Sequence, residues 1–305
     1  MCSVFKHFGS GKLTMEQILE PAFKIAEKGV PVGLKTSLIW NKFKDVIKNS
    51  KQAEDILQQG RTVPLPGEKV YAPKLAHIFK LIASDGKEGF YCGTVAQNIV
   101  KEVERAGGVL TLNDMKEHLT FKLNHELQEP LFIDFCGFRI WEMKPNTIGI
   151  VVLVALNILQ LYDLRALGHN SAEYIHIVSE VVKYAYLECW DYLCDPSYNS
   201  PCFKSLLSEN LSIRIKMQID DNKASNSQFN ITGSNTSYVG VVDEEGNGCS
   251  FICSISSDFG TGLIPEGCGF TLHDRLKSMS LNESSPNAFG PKKVTSSFHP
   301  SIHGN

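Results

Sequence analysis

The sequence predicts an α+β protein, and three observations carry that expectation. Several stretches space their apolar residues at helical intervals behind capping residues, as in 94–106, where Val95, Ile99, Val100 and Val103 share one stripe. Other stretches alternate in the manner of strands, 129–135 with 138–143 and 237–242 with 249–256, and each pair is joined by a short glycine-bearing turn. A chain of 305 residues with 43% hydrophobic content can bury a sizeable core.

Taken in order, Thr14 and Gln17 form a capping box and Leu13 can staple against Ile18, so residues 14–28 are expected to be helical, bent at Pro21 and stopped by Gly29. Ala22, Phe23, Ile25 and Ala26 are its expected inner face. A second helix is read over 35–58. The stretch 61–73, with three prolines and a glycine, reads as an ordered connection. A short helix over 74–83 and a longer one over 94–106 follow, the latter ended by Gly107-Gly108, and Thr111 with Asp114 makes another N-terminal box.

Beyond the first hairpin, 148–161 is apolar nearly all round and is expected to be a buried helix. Residues 171–192 start at a serine cap and place Ile175, Val178, Val182 and Tyr186 on one face. His176 and Glu180 lie on that helix, and the reading is a structural histidine paired with a carboxylate four residues on. Residues 220–235 are polar and rich in Ser and Asn, as an exposed or loosely held linker would be, and such a segment is where a chain could be cut. The second hairpin comes next. Thr236 stands at its head, and in its second arm Cys249, Phe251, Cys253 and Ile255 share one face, expected to be the greasy one, with Ser250, Ile252, Ser254 and Ser256 on the other.

Composition excludes several classes of function. A formal net charge of -3 without any long Lys/Arg block offers no broad attraction for nucleic acid or anionic lipid. The longest apolar run, 148–161, is interrupted by Asn157 and falls short of the roughly 20 residues of a membrane helix. Nine cysteines form no Cys-x-x-Cys pair, so zinc is not expected. The N-terminal stretch lacks the apolar run of a signal peptide, and the compartment is left open.

Asn235-Thr-Ser-Tyr, Val241-Val-Asp-Glu-Glu-Gly-Asn247 and Phe259-Gly-Thr-Gly262 resemble the processing region of γ-glutamyltransferases. Other blocks agree in the same order along nearly the whole chain: Leu13 to Ala22 with Glu27 to Val32, Glu88-Gly-Phe-Tyr-Cys-Gly93, Gly107 to Asp114, Gly137 to Met143, the His176 to Glu180 helix and Asp195-Pro196. Tyr238, Arg275 and Pro286-Asn-Ala288 are similar to the glutathione hydrolase-like branch, in which the threonine is followed by Xaa-Tyr.

The resemblance implies a four-layer αββα N-terminal-nucleophile hydrolase sandwich, incomplete in this chain, that acts as a γ-glutamyl hydrolase or transferase on glutathione or related γ-glutamyl amides. It implies self-cleavage between Asn235 and Thr236, dividing a large-subunit-like segment 1–235 from a small-subunit-like segment 236–305, with both fragments staying associated. Thr236 would then be the nucleophile, its own α-amino group the base, and no cofactor or metal would be needed. Ser296-Ser297 match the family's oxyanion pair. Arg275 stands where better-known members carry an amide or acid, Ser278 replaces an acidic residue, and Ser256 lies between Ser254 and Asp258, where an asparagine is expected. Ser256, Arg275, Ser296 and Ser297 are the expected substrate-binding residues. The family's upstream arginine block and later Gly-Gly block have no match here, so the chain is expected to be truncated at both ends and to stay uncut until they are supplied. The alternative is an inactive family member serving as a binding or interaction protein.

Overall fold

The computed structural model describes residues 2–57, 62–120, 128–196, 202–225 and 235–290. They divide into two compact units of mixed helix and strand, one of Met1–Glu126 with Ile255–Asp274, the other of Leu127–Ser254 with Arg275–Asn305.

In the first unit, α1 (Cys2–Phe8) precedes α2 (Met15–Lys28), whose capping box forms as predicted: the Gln17 N–H donates to Thr14 Oγ1 at 3.2 Å and the Thr14 N–H to Gln17 Oε1 at 2.8 Å. Thr14→Ala should therefore cost about 1 kcal/mol, read as a lower denaturation midpoint at unchanged slope. The buried stripe of α2 is Leu19 and Phe23 with half-buried Ala26, whereas Ile25 is 55% exposed. Ile25 lies two residues from Phe23, more than half a turn round the helix, so the two cannot share a face.

The strand β1 (Val30–Pro31) leads to α3 (Leu34–Lys48), which ends well before the predicted 58. The chain turns at Asn49-Ser50 because Ala53 and Leu57 fold back to bury themselves with Ile47 and Ile264. Gln58 itself lies outside the described residues. Within the proline-rich connection, β2 (Lys69–Val70) pairs antiparallel with β1, Val30 opposite Val70. Then α4 (Pro73–Tyr91) runs past the predicted end, resuming helical geometry beyond Gly86, whose φ of 63° breaks it. On it pack α2, α5 (Gly93–Arg105) and α6 (Leu112–Thr120), burying Val95, Ala96 and Ile99 with Ile78, Met115 and Cys268. The Thr111–Asp114 box is present, with the Thr111 N–H 2.8 Å from the carboxylate it donates to.

In the second unit, β3 (Leu131–Phe135) and β4 (Phe138–Glu142) pair antiparallel around Cys136 and Gly137, both at positive φ as a two-residue hairpin turn requires. The helix α7 (Gly149–Leu159) is the centre of this core, with Ile150, Leu153, Val154 and Ile158 fully buried. After α8 (Leu164–Leu167), α9 (Ala172–Cys189) starts at its Ser171 cap and packs against α7 through Ile177, Val181, Ala185 and Cys189. Of the predicted face, Val178 and Tyr186 are half-buried and pack against this core, whereas Ile175 is 53% and Val182 36% exposed. Two apolar stripes run along α9; packing against α7, which local periodicity does not contain, selects the one with the smaller side chains. Two further helices, α10 (Phe203–Leu206) and α11 (Glu209–Lys216), close the core.

The last pair, β5 (Asn235–Val242) and β6 (Gly248–Ser256), is the second predicted hairpin, closed by the Asp243 N–H donating to Asn247 O at 3.0 Å. Its alternation is as predicted but its facing is inverted: Cys249, Phe251, Cys253 and Ile255 are exposed, and Ser250, Ile252, Ser254 and Ser256 are half-buried. Alternation fixes which residues share a face, and the rest of the fold decides which face is covered.

Candidate active site at the head of the second hairpin

Thr236 is the second residue of β5 and is half-buried. The β-branched side chain suits an extended backbone. Thr236 stands near the start of β5, and β6 finishes in Ser254-Ile-Ser256.

At that finish the backbone departs from strand geometry, with Ser256 at a φ of 77°, a left-handed conformation that costs a residue bearing a side chain roughly 1–3 kcal/mol. Asp274 holds it there. Its carboxylate accepts the Ser257 N–H at 2.9 Å and the Ser256 hydroxyl, and its own N–H donates to Ile255 O at 3.2 Å. Burial pushes this carboxyl up, but the hydrogen bonds from Ser257 and Ser256 outweigh it and set it below the usual aspartate range. The stabilisation is therefore present at neutral pH and lost as pH falls from the ordinary aspartate value through the lower folded one. Melting from about pH 7 down to about pH 3 should show a steeper loss for the wild type than for Asp274→Asn.

Arg275, the next residue, opens a single 3₁₀ turn and is half-buried. Ser278 ends that turn, its hydroxyl donating to Arg275 O at 2.9 Å. Ser256 and the residue preceding Arg275 are in this way brought together from positions far apart in sequence. Ser296 and Ser297 lie outside the described residues. No sequence signal had singled out Asp274; its adjacency to Arg275 was the available hint.

The strap from Ser256 to Asp274 needs glycine at Gly260 and Gly262, where an added Cβ would meet the carbonyl oxygens of Leu272 and Val46 respectively. Phe259 between them and Ser256 takes a φ of 60° and sets its ring 5.7 Å from Trp40. These contacts give the Phe259-Gly-Thr-Gly262 block its physical content.

His176 is structural, as expected, but its partner differs: the ring Nε2 donates to Asp220 O at 2.8 Å, and Glu180 instead takes Lys183 Nζ at 2.6 Å and the Ser225 N–H at 3.0 Å. Among the described residues no group of three or more His, Cys, Asp or Glu is disposed to hold a metal, and no helix is long and apolar enough to cross a membrane. A cavity of about 340 Å³ lined by Leu19, Phe79, Ile82, Phe90 and Tyr91 belongs to the first unit and includes none of the candidate site residues.

Comparison with known proteins gives these residues their context. The family profile Gamma-glutamyltranspeptidase matches residues 1–303. The chain is 31% identical over 297 residues to the Glutathione hydrolase-like YwrD proenzyme of Bacillus subtilis, covering 97% of this chain and 55% of the relative. It is 28% identical to the Glutathione hydrolase proenzyme of Escherichia coli, covering 92% of this chain and 49% of that one. Among solved structures it is similar to cephalosporin acylase from Bacillus halodurans, with a TM-score of 0.84, 29% identity and coverage of 98% of this chain and 54% of the other. Helicobacter pylori gamma-glutamyltranspeptidase superposes with a TM-score of 0.67 at 24% identity, over 74% of this chain and 63% of that one. The chain spans about half the length of the curated relatives it matches. Its fold is the mixed helix-and-sheet, N-terminal-nucleophile hydrolase fold of these neighbours. With the profile spanning the chain and both solved neighbours sharing its fold, this protein belongs to the gamma-glutamyltranspeptidase family.

Proposed function

We propose that this protein is a γ-glutamyl hydrolase or transferase acting on glutathione or related γ-glutamyl amides, with Thr236 as its nucleophile. The observation that carries the reading is a half-buried Thr236 at the head of a strand, directly after a polar segment, in a chain whose relatives include glutathione hydrolase proenzymes. In self-cleavage the Thr236 hydroxyl attacks the Asn235 carbonyl carbon. The peptide C–N bond breaks as an ester C–O bond forms, the hydroxyl proton passing to the nitrogen that becomes the free α-amine of Thr236, and water then hydrolyses the ester to release the Asn235 carboxylate and restore the Thr236 hydroxyl. The fragments 1–235 and 236–305 then stay associated as large and small subunits of the four-layer αββα sandwich.

The freed α-amine has a reference pKa of about 7.7–8.0, close to where a general base works best near neutral pH. It takes the hydroxyl proton as Oγ1 attacks the γ-carbonyl. The proton passes to the departing amide nitrogen, and the acyl-enzyme is resolved by water, giving glutamate, or by an amino acid, giving a new γ-glutamyl amide. Ser296 and Ser297 are the proposed oxyanion donors, and Ser256 and Arg275 the proposed contacts to the glutamyl group. Arg275 is suited to a carboxylate, since a guanidinium offers a planar, bidentate donor pair.

The mass spectrum of purified protein tests this directly. With the relatives' flanking segments supplied, scission predicts a fragment beginning at Thr236, in proportion to hydrolysis of a γ-glutamyl amide. An intact chain that nonetheless hydrolyses the amide would rule out an N-terminal nucleophile. A chain with neither property, even with the relatives' flanking segments supplied, would favour a non-catalytic binding role, the reading to which Arg275 and Ser278 at otherwise amide or acidic positions point.

A further inference from the structure

Glu180 is a carboxylate that the proposed reaction does not use, yet it is only 2% exposed. Burying a carboxylate costs several kcal/mol unless it is fully partnered, so its partners indicate what the position is for. One is Lys183, three residues along α9 at 2.6 Å; the other is the Ser225 N–H at 3.0 Å, 45 positions away in sequence. Its neighbours on the same stripe act alike. His176, one turn before, donates to Asp220 O at 2.8 Å, and the Tyr184 hydroxyl, one turn after, donates to Gln218 O at 3.4 Å. Side chains four apart on a helix share a face, so one polar stripe of α9 grips the backbone of residues 218–225 at three successive points.

We propose that this stripe, with Glu180 as its buried anchor, fixes the point from which the chain runs to the Asn235–Thr236 bond, making Glu180 a positioning residue for scission. The role rests on the reading of Thr236 as a self-freed nucleophile. From Ser225 to Asn235 the chain has ten residues, a reach of about 36 Å at most. Without the anchor, the nearest held point upstream is Asp220, whose carbonyl oxygen His176 Nε2 meets at 2.8 Å, and the distance along the chain to Asn235 grows to fifteen residues. That increase in length alone would slow closure only about twofold. A greater loss marks a loss of direction at the reacting bond, where small misplacements cost large factors. After scission the same contact keeps the new C-terminal tail of the upstream fragment attached to α9.

Ser225 separates this role from a merely structural one. Ser225→Ala keeps the N–H and gives up only the hydroxyl's contribution to Glu180, so it should stay much closer to wild type than Ser225→Pro, which removes the backbone donor without touching the core between α7 and α9. Appearance of a fragment beginning at Thr236 is followed by mass spectrometry in the chain extended by the relatives' flanking segments, and exchange of the Ser225 amide in the wild type and in Glu180→Gln. Glu180→Gln and Ser225→Pro should slow scission about tenfold, and hydrolysis per cleaved molecule should stay within about twofold of wild type. The Ser225 amide should be protected in the wild type and exchange at least about tenfold faster in Glu180→Gln. Equal scission rates in wild type, Glu180→Gln and Ser225→Pro overturn the proposal and leave the nucleophile reading standing. Absence of a fragment beginning at Thr236 from every sample, wild type included, with the relatives' flanking segments supplied, overturns the nucleophile reading and this role with it. If Glu180→Gln does not fold, the contrast between Ser225→Pro and Ser225→Ala decides.

Discussion

In the chain extended by the relatives' flanking segments, Thr236→Ala is expected to abolish both the fragment beginning at Thr236 and γ-glutamyl hydrolysis, a loss of at least about 1000-fold, because one oxygen atom is the attacking group in both steps. Thr236→Ser keeps the oxygen and should retain part of each. Ser237→Ala must accompany them, since a second hydroxyl adjoins the first; it should be mild, because Ser237 gains no free amine when the bond ahead of Thr236 breaks. The order of effects, Ala far below Ser at 236 and near wild type for Ala at 237, distinguishes nucleophile from neighbour. Fragment release that persists in Thr236→Ala would assign the cut to a contaminating protease. If hydrolysis alone survived, the catalytic role would move to another residue.

How much of this was legible in the sequence depends on how local the cause was. Caps are local: the Thr14–Gln17 and Thr111–Asp114 boxes and the Ser171 cap are made by residues within three positions of each other, and all were read correctly. The two hairpins were likewise written into alternation and turn residues. What failed required knowledge of the partner. On α9, Ile175 and Ile177 are equally apolar, and only contact with α7 buries the second to 3% while leaving the first 53% exposed. The hairpin β5–β6 was inverted for the same reason, since nothing within 235–256 says which side other elements cover.

The site divides in the same way. Thr236 was proposed from the block around it, and periodicity alone would have left it an ordinary strand threonine. Asp274 and Glu180 were misjudged or missed because their partners, Ser257 and Ser225, lie 17 and 45 residues away, beyond the reach of any local pattern. Buried or half-buried carboxylates that accept backbone N–H groups are a tertiary device, and a sequence displays only their charge.

Gly260→Ala is expected to destabilise the protein by about 2–5 kcal/mol, combining the left-handed backbone cost with overpacking against a neighbour that cannot rotate away. Gly260 is buried at a φ of 52°, and a Cβ there would strike the Leu272 carbonyl oxygen and lie 3.1 Å from the His273 Cα. The neighbour is backbone, tied down by the Thr261 N–H donating to Leu272 O at 2.9 Å and the Leu272 N–H donating to Leu263 O at 2.9 Å. Relief would have to shift residues 272–274, and with them the Asp274 carboxylate that holds Ser256 and Ser257. Faster exchange of the Ser257 amide should therefore accompany the loss of stability. Gly267→Ala is the matched control: its φ is 72°, but a Cβ there would find only the Asn98 Nδ2 at 3.9 Å, so it should show the backbone cost alone, about 1–2 kcal/mol. Denaturant melts of the two variants side by side decide the matter. Equal losses, with Ser257 exchange unchanged in both, would mean that backbone conformation by itself explains the glycine and that the strap does not transmit strain from Leu272 to the candidate site.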